Sequence, residues 1–265
     1  MSGADGRKSI FITGAASGIG RETALLFAKR GWFVGGYDVN ADGLQALERE
    51  IGADGGRFET LDVTDPQAFA QAMGGFAEAT GGTLDCLFNN AGIAGGGLLD
   101  EQPWEDVLRV VGVNFLAVMI GARAATPLLA ATPGSLCLTT SSSSAIFGTA
   151  GISVYSATKH AVRGLTEALS IELKRFGVRA ADLLPGLIDT PLMSDAMRAM
   201  APPDGMWRLV APREVAETAW RAYHEDKLHW YVPEELRDFH REVVDRPEAV
   251  REERTALLAM MAAGE

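Results

Sequence analysis

Short apolar runs that alternate with longer segments of helical periodicity constrain the fold of this chain more than any other feature. Uninterrupted apolar runs are typical of strands covered on both faces, and their alternation with helices predicts a parallel sheet. No linker or internal repeat divides the 265 residues. We therefore expect a single α/β domain over residues 1–265, with a doubly wound parallel sheet of about seven strands and helices on both faces. The predicted strands are residues 9–13, 33–39, 57–61, 84–89, 135–140, 178–184 and 228–232, and the predicted helices are residues 19–30, 42–51, 66–78, 104–129, 155–176 and 212–225.

The overall composition restricts the class of partner. Hydrophobic residues make up 47% of the chain, enough for a large core, and the formal net charge is −11. Nucleic-acid binding needs basic surface, and no cluster of lysine and arginine is present, so we expect no nucleic-acid partner. The N-terminal segment lacks the apolar stretch of a signal peptide, and no uninterrupted run reaches the ~18 apolar residues of a membrane span. We therefore expect a cytoplasmic protein with no membrane partner.

Neither the cysteines nor the histidines indicate a metal site. Cys86 and Cys137 lie within apolar runs, where cysteine usually serves as a small buried side chain. The four histidines lack the spacing of a zinc-binding motif. The sequence therefore predicts no bound metal.

A glycine-rich turn joins the first predicted strand to the first predicted helix. Gly14, Gly18 and Gly20 follow the pattern G-x-x-x-G-x-G. At such a junction the backbone N–H groups point outward at the start of the helix, and the missing Cβ atoms let a pyrophosphate approach. An ordinary tight turn is the alternative, but the strand–turn–helix context favours a dinucleotide site.

Asp38 ends the second apolar run, 18 residues after Gly20. A carboxylate at this position accepts hydrogen bonds from the hydroxyls of an adenosine ribose and repels a 2′-phosphate, which favours NAD over NADP. No lysine or arginine occupies residues 15–17 or closely follows Asp38. The alternative role is a helix cap, for which Asn40 or Asp42 is also available.

Three motifs follow one another along the chain: Thr13-Gly-Ala-Ala-Ser-Gly-Ile-Gly20, Asn89-Asn-Ala-Gly92 and Tyr155-Ser-Ala-Thr-Lys159. Together they resemble the short-chain dehydrogenase/reductase family, over roughly residues 8–190. The resemblance implies a Rossmann fold, a nicotinamide cofactor, and hydride transfer to or from an alcohol or ketone carbon.

The resemblance also implies the cofactor contacts. Asp62 and Val63 follow the third strand and are expected at the adenine, the segment after the fourth strand supports the cofactor groove, and Ile188 and Thr190 are expected at the nicotinamide carboxamide. The full set implied for the cofactor comprises Gly14, Ser17, Gly18, Ile19, Gly20, Asp38, Asp62, Val63, Asn90, Ala91, Gly92, Tyr155, Lys159, Pro185, Gly186, Ile188 and Thr190.

Tyr155 and Lys159 are the candidate proton-transfer pair. At positions i and i+4 they share one face of a helix. Free tyrosine has a pKa of about 10, and a nearby ammonium favours the phenolate, so we expect Lys159 to lower the pKa of Tyr155. The resemblance adds Ser142, chosen by its spacing from a run of four serines, as the residue that positions the substrate oxygen. It also adds Asn114, which would hold a water that connects the lysine to solvent.

The substrate is less constrained. Residues 190–212 occupy the position of the family's substrate loop, where Met193, Met197 and Met200 form either an apolar lid or the core-facing side of a packed helix. Residues 145–147 and 94–98 are further candidates for the pocket wall. Their apolar character indicates a hydrophobic alcohol or ketone.

The C-terminal segment departs from the family. Residues 233–265 are charged and mostly helical in pattern, where many members end in a strand that packs on a neighbouring subunit. Leu257, Leu258, Met260 and Met261 are available to contact either a partner subunit or the chain's own core. We expect a homodimer or a homotetramer, with the helices at residues 104–129 and 155–176 as the dimer contact.

Three other functions compete with an NAD-dependent dehydrogenase. An NADPH-dependent carbonyl reductase is disfavoured by Asp38, and a non-catalytic NAD-binding regulator is disfavoured because Tyr155 and Lys159 are both present. A nucleotide-sugar epimerase or dehydratase would have a different glycine spacing and usually a longer chain.

Overall fold

The computed structural model describes residues 6–263, and in this part of the chain all the strands form one parallel sheet. The strands are β1 (Ser9–Thr13), β2 (Phe33–Asp38), β3 (Gly56–Thr60), β4 (Cys86–Asn89), β5 (Leu136–Thr140), β6 (Arg179–Pro185) and β7 (His229–Val232). Their order across the sheet is β3-β2-β1-β4-β5-β6-β7. The predicted doubly wound sheet of seven strands is therefore confirmed.

The helices alternate with the strands and cover both faces of the sheet. They are α1 (Gly18–Lys29), α2 (Ala41–Ile51), α3 (Pro66–Thr80), α4 (Trp104–Val111), α5 (Ala117–Ala130), α6 (Ser153–Glu172), α7 (Asp195–Met200), α8 (Pro212–His224), α9 (Leu236–Asp245) and α10 (Pro247–Ala263). The ends of the predicted helices before the tail agree with these bounds to within two residues, except that the last turn of the segment 155–176 is a 3-10 turn.

The strand order reverses between β1 and β4, and this reversal opens the crevice that ligands use in sheets of this kind. β1 pairs with β2 on one side and with β4 on the other. The helix that follows β1 therefore lies on one face of the sheet, and the helix that follows β4 lies on the other. The carboxyl ends of β1 and β4, with the segments that follow them, meet at this crevice.

Two apolar layers hold the sheet. On one face Phe27, Leu47 and Ala219 from α1, α2 and α8 form a cluster with Ile10 and Ile12 of β1. On the other face the ring of Phe11 stacks on Tyr37 with ring centroids 4.1 Å apart, and Phe69 and Phe76 of α3 pack around this pair. Burial on both faces explains why the strands appear in the sequence as uninterrupted apolar runs.

The segment predicted as one helix over residues 104–129 is interrupted. Gly112–Leu116 forms a single π-helical turn between α4 and α5, and Asn114 lies in this turn. By length and composition alone the whole stretch Trp104–Ala130 passes as a candidate membrane span, although charged and polar residues interrupt its apolar runs. Ala122, Ala125 and Leu129 of this stretch lie in the core beside the sheet, and core helices meet the same criterion.

The C-terminal tail packs on its own chain. Leu236 and Phe239 of α9 and Val250 of α10 form a cluster with Leu184 of β6 and Tyr231 of β7. Of the four tail residues considered for a partner contact, Leu258 is exposed. The side chains of Leu257, Met260 and Met261 lie outside those that the structure describes.

Gly121 of α5 sets how closely this helix approaches the end of β4. A Cβ at position 121 would overlap the side-chain oxygen of Asn89 and lie 2.9 Å from Cζ of Phe69. We therefore expect Gly121→Ala to lower the free energy of unfolding by about 1–3 kcal/mol, measured by urea denaturation.

Gly74→Ala is the matched control, because a Cβ on this exposed glycine of α3 has no neighbour within 4 Å. In a helix interior this change is expected to raise the free energy of unfolding by about 0.5–1 kcal/mol. Equal effects of the two substitutions would contradict the close approach of α5 to β4.

Candidate active site

A cleft of about 1040 Å³ lies at the carboxyl ends of the strands, where the segments that follow β1 and β4 turn to opposite faces of the sheet. It brings together residues that stand far apart in the sequence. Of the residues predicted for the site, Gly20 and Asn114 are not at its surface, and the others line it: Gly14, Ser17, Gly18, Ile19, Asp38, Asp62, Val63, Asn90, Ala91, Gly92, Ser142, Tyr155, Lys159, Pro185, Gly186, Ile188 and Thr190.

The glycine turn has the shape that a pyrophosphate cradle needs. Gly14 has φ +70°, a left-handed conformation, and a Cβ there would lie 2.9 Å from Cα of Ala91. A Cβ at Gly20 would overlap the carbonyl oxygen of Gly14. The turn therefore tolerates no side chain at these two positions, and it leaves the N-terminus of α1 open to a bound anion.

The side chain of Asn90 holds this turn against the next two strand ends. Its Nδ2 donates to the carbonyl oxygens of Thr13, at 3.1 Å, and Gly14, at 3.4 Å. Its Oδ1 accepts from the hydroxyl of Thr140 at 3.0 Å. The hydroxyl oxygen of Thr13 accepts from the backbone N–H groups of Asn90 and Ala91. These bonds fix β1, β4 and β5 relative to one another at the floor of the cleft.

Asp38 is held at the end of β2 with its carboxylate at the cleft. One oxygen accepts from the N–H of Ala16 at 3.0 Å, and the other accepts from the N–H of Asn40 at 2.9 Å. Each carboxylate oxygen keeps a lone pair for a further donor, such as a ribose hydroxyl. The side chain of Asn40 caps α2 by accepting from the N–H of Gly43, so Asp38 is not needed as the helix cap.

Asp62 lies further along the same wall of the cleft. Its carboxylate accepts from the hydroxyl and the N–H of Thr64, and these hydrogen bonds lower the pKa of Asp62. Among the described residues that line the cleft, Lys159 and Arg254 are the only lysine or arginine. No positive side chain therefore accompanies Asp38 and Asp62 in this lining.

Lys159 is buried beneath the cleft. Its ammonium donates to the carbonyl oxygen of Thr140 at 2.9 Å and lies 5.5 Å from the centre of the Tyr155 ring. Burial lowers the pKa of Lys159 from 10.5 to about 8, because the charged form has lost most of its water. Folding therefore places the Lys159 ammonium, whose charged form is disfavoured by burial, close to the phenol of Tyr155.

The pKa of Tyr155 differs in direction from the sequence-based expectation. Burial raises the pKa of the phenol above 10, and a hydrogen bond with Ser142 acts in the opposite direction. The loss of solvation outweighs the neighbouring groups of the protein itself. Burial therefore favours the neutral phenol in the protein alone.

The four consecutive serines have different environments. Ser141 is buried and donates to the carbonyl oxygen of Lys159. Ser142 lies beside the phenol of Tyr155, where its hydroxyl acts to lower the pKa of that group, and it also accepts from the N–H of Ser144. Ser143 and Ser144 belong to the short 3-10 turn that follows. Ser142 is thus the serine that the structure brings to the phenol.

Asn114 is fully buried in the π-helical turn. Its Oδ1 accepts from the N–H of Ile93 at 2.8 Å, and its Nδ2 donates to the carbonyl oxygen of the same residue at 3.0 Å. This pairing accounts for an asparagine among apolar helix residues. A Cβ at Gly92 would lie 3.4 Å from Oδ1 of Asn114 and 3.6 Å from Nζ of Lys159. The two polar atoms therefore border the same small space.

The substrate end of the cleft differs in part from the predicted wall. Met193 and Met197 line it together with Met206 and Trp207, whereas Met200 is exposed and points elsewhere. A helix that packs all three loop methionines on the core is not formed, because Met193 lies before α7 and both Met197 and Met200 are exposed. Phe147, Ala94 and Gly95 line the cleft, but the predicted Ala145, Ile146 and residues 96–98 do not.

The sequence reasoning missed the contribution of the tail. Phe239 and Glu242 of α9 and Glu253 and Arg254 of α10 also line the cleft. No local motif marks these residues, since their position depends on how the tail folds back after β7. The described part of the chain contains no group of three potential metal-ligating side chains.

Comparison with known proteins gives one consistent family. Residues 8–201 match the family model described as short chain dehydrogenase. Cyclohexanol dehydrogenase from Acinetobacter sp. (strain SE19) is 37% identical over 221 residues, which cover 82% of this chain and 88% of that protein. The 2,5-dichloro-2,5-cyclohexadiene-1,4-diol dehydrogenase LinX of Sphingobium indicum is 35% identical over 218 residues, or 80% of this chain and 87% of that protein.

A solved structure has the same overall arrangement. A short chain dehydrogenase/reductase from Burkholderia phymatum in complex with NAD superposes with a TM-score of 0.80 and 26% sequence identity. The superposition covers 94% of this chain and 96% of that one. The similarity therefore extends past the family model into the C-terminal part of the chain.

The buried Lys159 is expected to lower the stability of the fold. Its pKa falls from 10.5 to about 8 on folding, so only the unfolded chain binds the proton between these values. The destabilisation is complete below pH 8 and disappears as the pH rises towards 10.5. We expect Lys159→Met to raise the free energy of unfolding at neutral pH by up to about 3 kcal/mol, and by much less in alkaline solution.

Urea denaturation of both proteins at neutral and alkaline pH measures this difference. Lys174→Met, at an exposed lysine beyond the end of α6, is the control and is expected to change stability little at either pH. A Lys159→Met protein that is no more stable than the parent at neutral pH would argue against a strained buried ammonium.

Proposed function

This chain belongs to the short-chain dehydrogenase/reductase family, an oxidoreductase family acting on CH–OH groups, and from that premise we propose that it is an NAD(H)-dependent dehydrogenase of hydrophobic secondary alcohols. The observation that carries the proposal is the placement of the Tyr155 phenol, with Ser142 and Lys159 beside it, in the cleft that begins at the glycine turn. The names of the relatives support an alcohol or diol carbon as the reacting centre.

In this proposal the phenol oxygen of Tyr155 exchanges a proton with the substrate oxygen. The hydroxyl of Ser142 donates to that oxygen and keeps it within reach of the phenol. An oxidised nicotinamide held by the cleft would supply hydride acceptance and a positive charge. Lys159 supplies the second positive charge, since its ammonium is retained below a pKa of about 8. Together these charges offset the rise that burial causes in the pKa of Tyr155.

Other residues of the chain hold the cofactor. The N-terminus of α1 behind the glycine turn suits the pyrophosphate, and Asp38 suits the hydroxyls of the adenosine ribose. The neighbouring Asp62 and the lack of a lysine or arginine beside Asp38 in the described lining of the cleft support NAD over NADP. Ile188 and Thr190, which follow β6, are proposed to orient the nicotinamide.

The apolar loop and the tail enclose the substrate. Met193, Met197 and Met206 line the cleft together with Phe147 and Ile152. These side chains support a hydrophobic body next to the reacting carbon. Residues 190–212 are accordingly proposed as the substrate loop.

A homo-oligomeric state, dimer or tetramer, is part of the proposal. Trp104 and Leu108 of α4, Leu116 of the π-helical turn and Ile171 of α6 are exposed. Large apolar side chains on neighbouring helices support an interface between copies of the chain. These are the helices that the sequence indicated for a dimer contact.

Replacement of Tyr155 by phenylalanine tests the proton transfer. We expect Tyr155→Phe to lower kcat for NAD-linked oxidation of cyclohexanol by about 1000-fold, because general acid–base catalysis contributes on this scale. NADH binding, measured by tryptophan fluorescence, is expected to stay within about threefold of the parent, because the ring remains in place. A variant that keeps near-normal turnover would show that Tyr155 is not the proton-transfer group.

Replacement of Asp38 tests the cofactor preference. Asp38→Ser combined with Val39→Arg removes the carboxylate and puts a cation on a neighbouring residue that is exposed and lines the cleft. We expect the ratio of kcat/KM with NAD to kcat/KM with NADP to fall by about 100-fold, since a 2′-phosphate is then attracted instead of repelled. Asp42→Ser, which removes a carboxylate outside the cleft, is the control. An unchanged ratio in the double variant would remove Asp38 from the ribose site.

A further inference from the structure

The two C-terminal helices form the outer wall of the substrate end of the cleft. Phe239 of α9 packs against Trp207 of the substrate loop in an edge-to-face contact, with ring centroids 5.2 Å apart. Val250 of α10 belongs to the same apolar cluster, which also contains Ile146 near the catalytic serine. The tail thus packs against Trp207 of the substrate loop and against Ile146. These contacts fix the position of the side chains that the tail contributes to the pocket.

Arg254 of α10 brings a positive charge into this apolar wall. Its guanidinium carbon lies 4.8 Å from the ring centre of Trp207 and 5.2 Å from that of Phe239. Contact with two aromatic rings restricts the orientation of the planar guanidinium and favours a cation at this point. Arg254 is also one of the residues that line the cleft.

The guanidinium of Arg254 has donors available for a ligand. The side chain is partly buried, and this burial lowers its pKa. Among the side chains and backbone groups that the structure describes, it has no hydrogen-bond acceptor and no ion pair; the neighbours that act on its charge are the two aromatic rings and the adjacent Glu253. A guanidinium has five N–H donors, and no nitrogen of Arg254 is among the buried unpaired polar atoms of the described residues. These donors are therefore accessible, and an acceptor that enters with the substrate can replace water at them.

The two carboxylates of the same wall, Glu242 and Glu253, do not pair with Arg254. Glu242 lines the same wall but is paired with Arg246 one turn along α9. Glu253 is exposed to solvent. Lys159, the other cation in the described lining, lies beneath the catalytic end and already donates to the carbonyl oxygen of Thr140. Arg254 is therefore the cation at the outer end of the pocket.

We propose that Arg254 binds a carboxylate of the substrate, so that the physiological substrate is a hydroxy acid or oxo acid with an apolar body. The proposal rests on the proposed function, which supplies the reaction at the end of the substrate remote from Arg254. A carboxylate matches the planar fork of a guanidinium and forms two parallel hydrogen bonds with it. The methionines of the loop contact the apolar body, and Tyr155 and Ser142 receive the reacting oxygen.

A binding experiment tests the proposal independently of turnover. The full chain, without added cofactor, is titrated with cyclohexanecarboxylate and with cyclohexanecarboxamide in a calorimeter. These probes share one ring and differ in charge. We expect the carboxylate to bind at least about tenfold more tightly, because a charge-assisted pair replaces a neutral one.

Two variants and one control locate the effect. Arg254→Gln is expected to bring the two probes to within about twofold of each other, and Arg254→Lys is expected to retain part of the preference, since it keeps the charge but not the fork. Arg251→Gln removes an exposed arginine of the same helix, which pairs with Glu252, and is expected to keep the full preference. Thermal unfolding of each variant confirms that the tail remains folded.

Three results would overturn the proposal: equal affinity for the two probes in the parent chain, the same preference in Arg254→Gln as in the parent, or tighter binding of cyclohexanemethylamine than of the amide. Oxidation of 4-hydroxycyclohexanecarboxylate with NAD is measured separately. No turnover of this compound or of cyclohexanol would count against the proposed function, while a carboxylate preference lost in Arg254→Gln would still support the binding residue.

Discussion

A chain of hydrogen bonds across three strand ends is the constraint on which the site depends. The amide of Asn90 bonds the carbonyl oxygens of Thr13 and Gly14 on one side and the hydroxyl of Thr140 on the other. The carbonyl oxygen of Thr140 in turn accepts from the ammonium of Lys159. The glycine turn and the helix that carries Tyr155 and Lys159 are thereby linked through the floor of the cleft. Buried networks of this kind are rigid when every member is paired, and rigidity at this point fixes both ends of the reaction site.

The same arrangement makes the catalytic end electrostatically strained. Burial lowers the pKa of Lys159 and raises that of Tyr155, so each group is displaced towards its neutral form. Such opposed shifts are typical of functional sites, because an added charge then changes the protonation of both groups. A positively charged ring next to the phenol would supply that charge in the proposed reaction. The buried Lys159 lowers the stability of the fold at the position where the proposed reaction transfers a proton.

The C-terminal tail contributes the outer wall of the cleft. The family model ends at residue 201, whereas the wall that carries Phe239 and Arg254 lies beyond it. The core that matches the family would support the proposed hydride transfer, and α9 and α10 line the outer end of the pocket. A guanidinium packed against two aromatic rings of this wall favours a substrate with two different ends, one apolar and reactive, the other anionic. Selectivity would then depend on contacts remote from the reacting carbon.

Local rules determined most of the fold and much of the site. The apolar runs are strands because both faces of the sheet are covered, and Gly14, Asp38, Tyr155 and Lys159 stand at positions that strand ends and helix spacing define. The π-helical turn at Asn114 was not predicted, because it depends on a backbone partner, Ile93, from a distant segment.

The direction of the Tyr155 pKa was also wrong at the level of sequence, since desolvation depends on everything packed around the ring. The place of Arg254 in the cleft was decided only by the way that the tail folds back, because no spacing along the chain records which residues meet across it. The sequence by itself determined the sheet and the order of its motifs, which follow from short-range periodicity. The tertiary structure decided burial and long-range proximity, which depend on contacts between residues far apart in the chain.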